Sequence, residues 1–219
     1  MLALWRCCHP GPTVAVTAFT TLLAVGAGRG ASALWVAAAV LAGQLSVGWS
    51  NDWVDRHRDR AVGRRDKPLV TGEVDDRTVI SGAVVAVAAC AVLSLPSGLS
   101  ATAVHLLAVG SAWAYNLGVK STLVSVVPYA VSFGLLPAFV TLAPPLRSWP
   151  PGWALAAGAL QGAGAHFTNV LDDLDRDAAT GIRGLPHRLG RRATALLAAA
   201  LLAGGGAVLA SGTARPLPP

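Results

Sequence analysis

A chain of 219 residues that is 53% hydrophobic and only 13% charged is not a soluble globular domain, which carries about a quarter charged residues. A net charge of +6 would suggest nucleic acid in a soluble protein. In so apolar a chain the cations read instead as membrane-orientation signals, and no nucleic-acid partner is expected.

Apolar runs fall at about 13–28, 32–50, 78–95, 98–117, 122–143, 152–171 and 193–211. Each suits a helix crossing a hydrocarbon core of about 30 Å, so the expected fold class is all-α, a polytopic transmembrane bundle of about seven spans in one domain, 1–219. Ala31-Ser32-Ala33 would serve as a signal cleavage site, but cleavage there would remove the first span. Pro96-Ser97-Gly98 separates the third and fourth runs as a tight helical hairpin, and Pro128 and Pro137 are expected to kink the fifth. Cys7, Cys8 and Cys90 have neither metal-ligand nor disulfide spacing and are read as free thiols.

Threading seven spans puts the N-terminus, 51–77, Lys120 and 172–192 on one side of the bilayer. That side takes all 17 Lys and Arg residues except Arg29, Arg147 and Arg215. The bias toward positive cytoplasmic loops then makes this side cytoplasmic. The seven tryptophans suit an interfacial belt, with Trp35 and Trp113 as exceptions; His105 and His166 lie within spans and read as satisfied buried histidines.

All 11 acidic residues lie in the two long cytoplasmic segments. Asn51, Asp52, Asp55 and Asp59 continue the second span and fall within an arc of about 100° on a helix. Asn169, Asp173 and Asp177 continue the sixth span within about 80°, whereas Asp172 and Asp175 point elsewhere. Two carboxylate stripes at one membrane boundary repel one another and call for a positive partner. Arginines near in sequence lie mostly on other helix faces. A hard divalent cation suits the oxygens better, and Mg²⁺ in particular binds through a few carboxylates plus substrate phosphates. A transporter is the rival from another class, but no carboxylate sits mid-span and no internal repeat appears.

These residues carry a resemblance. Asn51-Asp52-x-x-Asp55-x-x-x-Asp59 resembles the first Asp-rich motif of the UbiA superfamily of intramembrane prenyltransferases, and Asp66-Lys67-Pro68-Leu69-Val70-Thr71-Gly72 the segment that follows it there. Tyr115-x₄-Lys120 is similar to a segment at the end of the family's fourth helix. Asn169-x₃-Asp173-x₃-Asp177, with Gly181, Leu185-Pro186 and Leu189-Gly190 behind it, resembles the second Asp-rich motif. The resemblance covers about residues 5–211. It implies transfer of a prenyl group from a Mg²⁺-bound prenyl diphosphate to a lipophilic acceptor, aromatic or otherwise; the Ala-, Gly- and Arg-rich composition points separately to a bacterial plasma membrane. Asp52, Asp55 and Asp59, assisted by Asn51, would hold one Mg²⁺, and Asp173 and Asp177 the other. Lys67, Tyr115 and Lys120 would neutralise or hydrogen-bond the leaving diphosphate, and Asn169 would assist on the substrate.

Two features depart from the family pattern. The Asp that often follows the second motif's Asn is Val170 here, with Asp172 as the candidate substitute. The family usually has nine spans, so the chain is expected to lack the last two. That leaves open a truncated, non-catalytic homologue that binds a lipid diphosphate, or a bundle closed by self-association as a homo-oligomer.

Overall fold

The computed structural model describes residues 1–214, and the C-terminal tail with Arg215 lies outside them. A short α1 (Leu2–Arg6) precedes α2 (Pro10–Gly26), α3 (Ala33–Ala61), a single turn α4 (Pro68–Thr71) and α5 (Asp76–Ser94). Then come α6 (Leu99–Leu117), α7 (Val127–Gly134), α8 (Leu136–Thr141), α9 (Gly152–Ala179) and α10 (Leu185–Thr213), with no strand among the described residues.

Helices stand at all seven expected places. Segments Gly30–Ala61, Asp76–Ser97 and Leu185–Thr213 are long and apolar enough to cross a membrane on their own, while α2 and the α7–α8 pair are shorter apolar helices. Leu22, Val85, Val92, Leu99, Leu107 and Leu196 are exposed on the bundle's outside, a surface suited to lipid. The fifth segment differs from expectation. It is helical only from Val127, and Pro128 sits in the first turn of α7, where its missing N–H breaks no helical bond. The interruption falls at Leu135, and Pro137 opens α8.

Two helices overshoot the bilayer, and this positions the site. At 1.5 Å per residue, α3 with 29 residues and α9 with 28 run to more than 40 Å, about 10 Å beyond the hydrocarbon core. The overshoot carries Asp52–Asp59 on one helix and Asp173–Asp177 on the other.

The core packs Val36, Ala39 and Val40 of α3 against Phe139 and Val140 of α8, Ala24 of α2 and Ala101 of α6. His105 stacks on Phe139 with ring centroids 4.2 Å apart, and its Nδ1 lies 2.8 Å from Ser94 Oγ, a satisfied buried histidine. α9 lies directly on α7, where a Cβ at Gly158 would stand 2.6 Å from the Phe133 carbonyl oxygen. Small residues of this kind let helices approach where lipid offers no hydrophobic drive. Cys7, Cys8 and Cys90 are buried free thiols. Trp113 donates from Nε1 to Ser46 Oγ at 3.2 Å, whereas Trp35 and Trp149 are exposed.

Candidate active site at the membrane boundary

The first carboxylate stripe is buried. Asp52, Asp55 and Asp59 share one face of α3 and are 2%, 8% and 7% exposed. Each finds a different electrostatic environment, because three separate pieces of chain close over that face.

The first piece is the turn around α4. Pro68 restricts the residue before it to extended backbone, and Lys67 obeys at φ −96°, ψ 122°. The turn ends at once on Gly72 in the left-handed region, φ 78°. Lys67 thereby reaches α3 and donates from Nζ to Asp52 Oδ1 at 2.5 Å. On the same oxygen, His9 Nε2 lies at 3.0 Å. Burial alone would raise the Asp52 carboxyl, but the His9 hydrogen bond and the Lys67 charge outweigh it and hold the group below the usual carboxylate range. The other oxygen, Oδ2, is buried with no hydrogen-bond partner.

The second piece is the short 3₁₀ turn Val119–Ser121 after α6, which brings the buried Lys120 ammonium onto Asp55 Oδ1. Arg58 Nη2 holds Asp55 Oδ2 from the other side at 2.8 Å. Burial pulls Lys120 below its ordinary value despite Asp55. Asp59 has no ion pair among the described residues. Burial raises its carboxyl, and Asp55 adds to that against the pull of Lys67 and Arg64.

The third piece is the end of α9. Asp173 pairs with Arg176 on its own helix, and Asp177 lies 3.7 Å from His187 Nε2 on α10. Burial raises the Asp177 carboxyl, with Asp173 adding to it and Arg58 opposing. The two stripes share the fields of the same cations: Arg58 and Lys120, ion-paired with Asp55, also act on Asp177, and Arg64, ion-paired with Asp66, acts on Asp59 and Asp173. Tyr115 faces the same space, within the field of Asp55 and Asp177, and its ring meets Tyr129 edge-on at 5.1 Å and His166 at 5.5 Å.

Three further candidates stand apart. Asn51 donates to Asn116 Oδ1 at 3.1 Å, and Asn169 donates to Tyr129 OH at 3.2 Å, so both amides brace helices. Asp172 is exposed and its carboxylate has no ion pair among the described residues. Sequence reasoning missed His9 and set Arg58 aside as lying on another face. The i,i+3 spacing of Asp55 and Arg58 could have signalled that pair, whereas nothing local links His9 to Asp52.

No three His, Cys, Asp or Glu side chains converge as a ready metal cluster among the described residues. The donor set nevertheless fits a hard divalent cation. It consists of carboxylate oxygens, one of them buried and unpartnered on Asp52, and a buried Asp59 without an ion pair. Lysines now hold two of these carboxylates.

Comparison with known proteins agrees with this arrangement. Residues 12–218 match the UbiA prenyltransferase family. The chain is 33% identical over 181 residues to a bacteriochlorophyll synthase 33 kDa chain from Cereibacter sphaeroides, covering 75% of this chain but 57% of that one. It is 30% identical over 216 residues to a digeranylgeranylglyceryl phosphate synthase from Natronomonas pharaonis, covering 96% of this chain and 75% of the relative. In fold it is similar to a UbiA homologue from Archaeoglobus fulgidus bound to GPP and Mg²⁺, with a TM-score of 0.79 at 19% identity, covering 98% of this chain and 80% of that one. The same homologue bound to DMAPP and Mg²⁺ superposes with a TM-score of 0.77, at 19% identity over 98% of this chain and 79% of that one. The chain therefore belongs to the UbiA prenyltransferase family, whose members are all-helical integral membrane proteins.

Proposed function

We propose that this chain transfers a prenyl group from a Mg²⁺-bound prenyl diphosphate to a lipophilic acceptor, releasing diphosphate, with its Asp-rich face on the cytoplasmic side of a bacterial plasma membrane. The observation that carries the reading is the set of carboxylates on α3 and α9 at one membrane boundary, each stripe faced by cations from other parts of the chain. A solvated pair of helix ends would not bury three carboxylates on one face.

Asp52, Asp55 and Asp59 on one side and Asp173 and Asp177 on the other would hold the metal. When bound, Mg²⁺ neutralises the charge that builds on a departing diphosphate. Lys67 and Lys120 are placed to leave their carboxylates for the phosphate oxygens, and Tyr115 is placed to donate a hydrogen bond there. Preorganised donors of this sort, aimed where charge develops, supply the largest share of such catalysis. Behind Tyr115 the rings of Tyr129, His166, Phe133 and Phe167 offer aromatic faces to an allylic cation and keep water from it.

The test is Mg²⁺-dependent diphosphate release in membranes containing the chain, given geranyl and geranylgeranyl diphosphates and pooled lipophilic acceptors. Release should vanish in Asp55→Ala and Asp173→Ala. If folded wild-type chain binds the diphosphates but releases nothing with any acceptor, the chain is a binding homologue. If it neither binds nor releases, the reading is wrong.

A further inference from the structure

The N-terminal segment before α2 is fastened against the site at several points. Trp49 of α3 donates from Nε1 to the Leu4 carbonyl at 2.8 Å. Arg6 grips Glu73 with both carboxylate oxygens, at 2.8 and 3.1 Å, and donates to the Asp66 carbonyl. Cys7 is fully buried with Leu69 and Val79. The Cys8 carbonyl lies over Gly48, where a Cβ would drive into that carbonyl, so only glycine admits the strap at this depth.

All of this delivers one side chain. His9 sits in the left-handed region at φ 55°, a conformation that strains a residue with a Cβ and that Gly would adopt freely. From there Nε2 stands 3.0 Å from Asp52 Oδ1 and 3.2 Å from Lys67 Nζ. These three contacts cannot all be hydrogen bonds. An imidazole nitrogen either donates or accepts. If Nε2 carries its hydrogen it serves Asp52 and offers Lys67 nothing. If it is bare it accepts from Lys67 and opposes the carboxylate. With its hydrogen on Nε2, His9 shares Oδ1 with Lys67, one donor to each lone pair, while Asp52 Oδ2 has none.

We infer that His9 is a positioning residue that holds Asp52 through Oδ1 when Lys67 is drawn off to the diphosphate of an incoming substrate. This rests on the prenyl-diphosphate reading. Without His9, every departure of Lys67 would leave a buried carboxylate with no donor on either oxygen, so Lys67 would be retained and the anion would bind less well. With His9, the N–H takes over Oδ1, the carboxylate stays in register, and Oδ2 remains free to face a cation.

The experiment is binding of geranyl thiolodiphosphate, an analogue slow to ionise, with Mg²⁺ to the purified full chain by calorimetry, beside steady-state kinetics. His9→Gly deletes the imidazole without penalising the backbone. His9→Gln restores an N–H of similar reach. His9→Gly should weaken analogue binding and raise KM about tenfold, the weight of one hydrogen bond to a charged group, while kcat stays within about threefold. His9→Gln should recover most of the loss. A merely structural role would lower folded yield and kcat together, with no rescue by Gln. Wild-type binding that His9→Gly leaves unchanged, or a Gln variant as weak as Gly, overturns the inference alone. Wild-type chain that fails to bind the analogue overturns the prenyl-diphosphate reading and this inference with it.

Discussion

Lys120→Met should separate the charge on the short turn after α6 from its place in the fold. Its ammonium and the Asp55 carboxylate are side chains only 8% and 10% exposed. Removing one partner of a buried pair ordinarily costs about 3–5 kcal/mol, because the other charge is stranded. Asp55 is not stranded here, since Arg58 still holds Oδ2 at 2.8 Å. The stability loss should therefore be about 1–3 kcal/mol, and the variant should fold. Its effect on the reaction should be larger. Losing one preorganised donor at a departing anion costs about 10²–10³ in kcat. The assay is diphosphate release at saturating substrate, normalised to folded protein from a melting curve in detergent. Lys120→Arg, which keeps the charge on a planar head, should recover part of the rate. If kcat of Lys120→Met stays within threefold of wild type, or falls only as folded protein falls, Lys120 is a structural counter-ion and the assignment is wrong.

Metal affinity should fall with acid earlier than for ordinary carboxylates, because burial raises Asp59 and Asp177, and protons compete with the cation at a higher pH. Asp59→Asn should bind Mn²⁺ more weakly overall yet with a shallower pH dependence in a paramagnetic titration. Gly162→Val should lower the detergent melting temperature, at a cost of about 3 kcal/mol or more, since a Cβ there would stand 2.3 Å from the Tyr129 carbonyl oxygen and 2.7 Å from Phe133 Cβ. Lys67→Met should tighten Mn²⁺ binding in the absence of substrate, by removing a competing cation from Asp52, while weakening binding of the diphosphate analogue.

Much of the site was legible because its residues sit on regular helices. Asp52, Asp55 and Asp59 follow an apolar run at helical spacing, and α3 does continue through them to Ala61. α9 likewise carries Asp173 and Asp177 to Ala179. The segment Asp66–Gly72 stood out only through the family motif, and the turn α4 that it forms follows from Pro68, which sets the backbone of Lys67, and Gly72, which ends it. What escaped is long-range. His9 meets Asp52 across 43 residues, and Lys120 meets Asp55 across 65, through turns whose direction no periodicity encodes. In the fifth span the break expected at Pro137 is present, just before it at Leu135, and only Pro128 was misread, because a proline in a helix's first turn and one in its interior look alike until the helix start is known.

The cations that close over the stripes also explain how so many carboxylates can share one boundary. Five carboxylates at one boundary would repel in a partly dry site. Lys67, Lys120, Arg58 and Arg176 pair with three of them, Asp52, Asp55 and Asp173, while Arg64, whose own ion pair is with Asp66, lies within the field of Asp59 and Asp173. The arrangement of charge then favours exchange over addition. On the proposed function, a prenyl diphosphate entering with Mg²⁺ would bring negative oxygens for the lysines and positive charge for the carboxylates, so each protein group would trade one partner for another of the same sign. Little net charge need be buried in the trade, which keeps its desolvation cost below that of inserting an anion or a metal alone. Arg58 and Arg64, which each act on both stripes, are the groups with least reason to move. The lysines have single carboxylate ion-pair partners, lie on short turns outside the long helices, and carry flexible stems. On the proposed reading the division of labour follows from chain geometry: arginines on the α3 extension and the loop just after it stay with their carboxylates, Asp55 and Asp66, and lysines on the turns are the groups free to turn to a diphosphate.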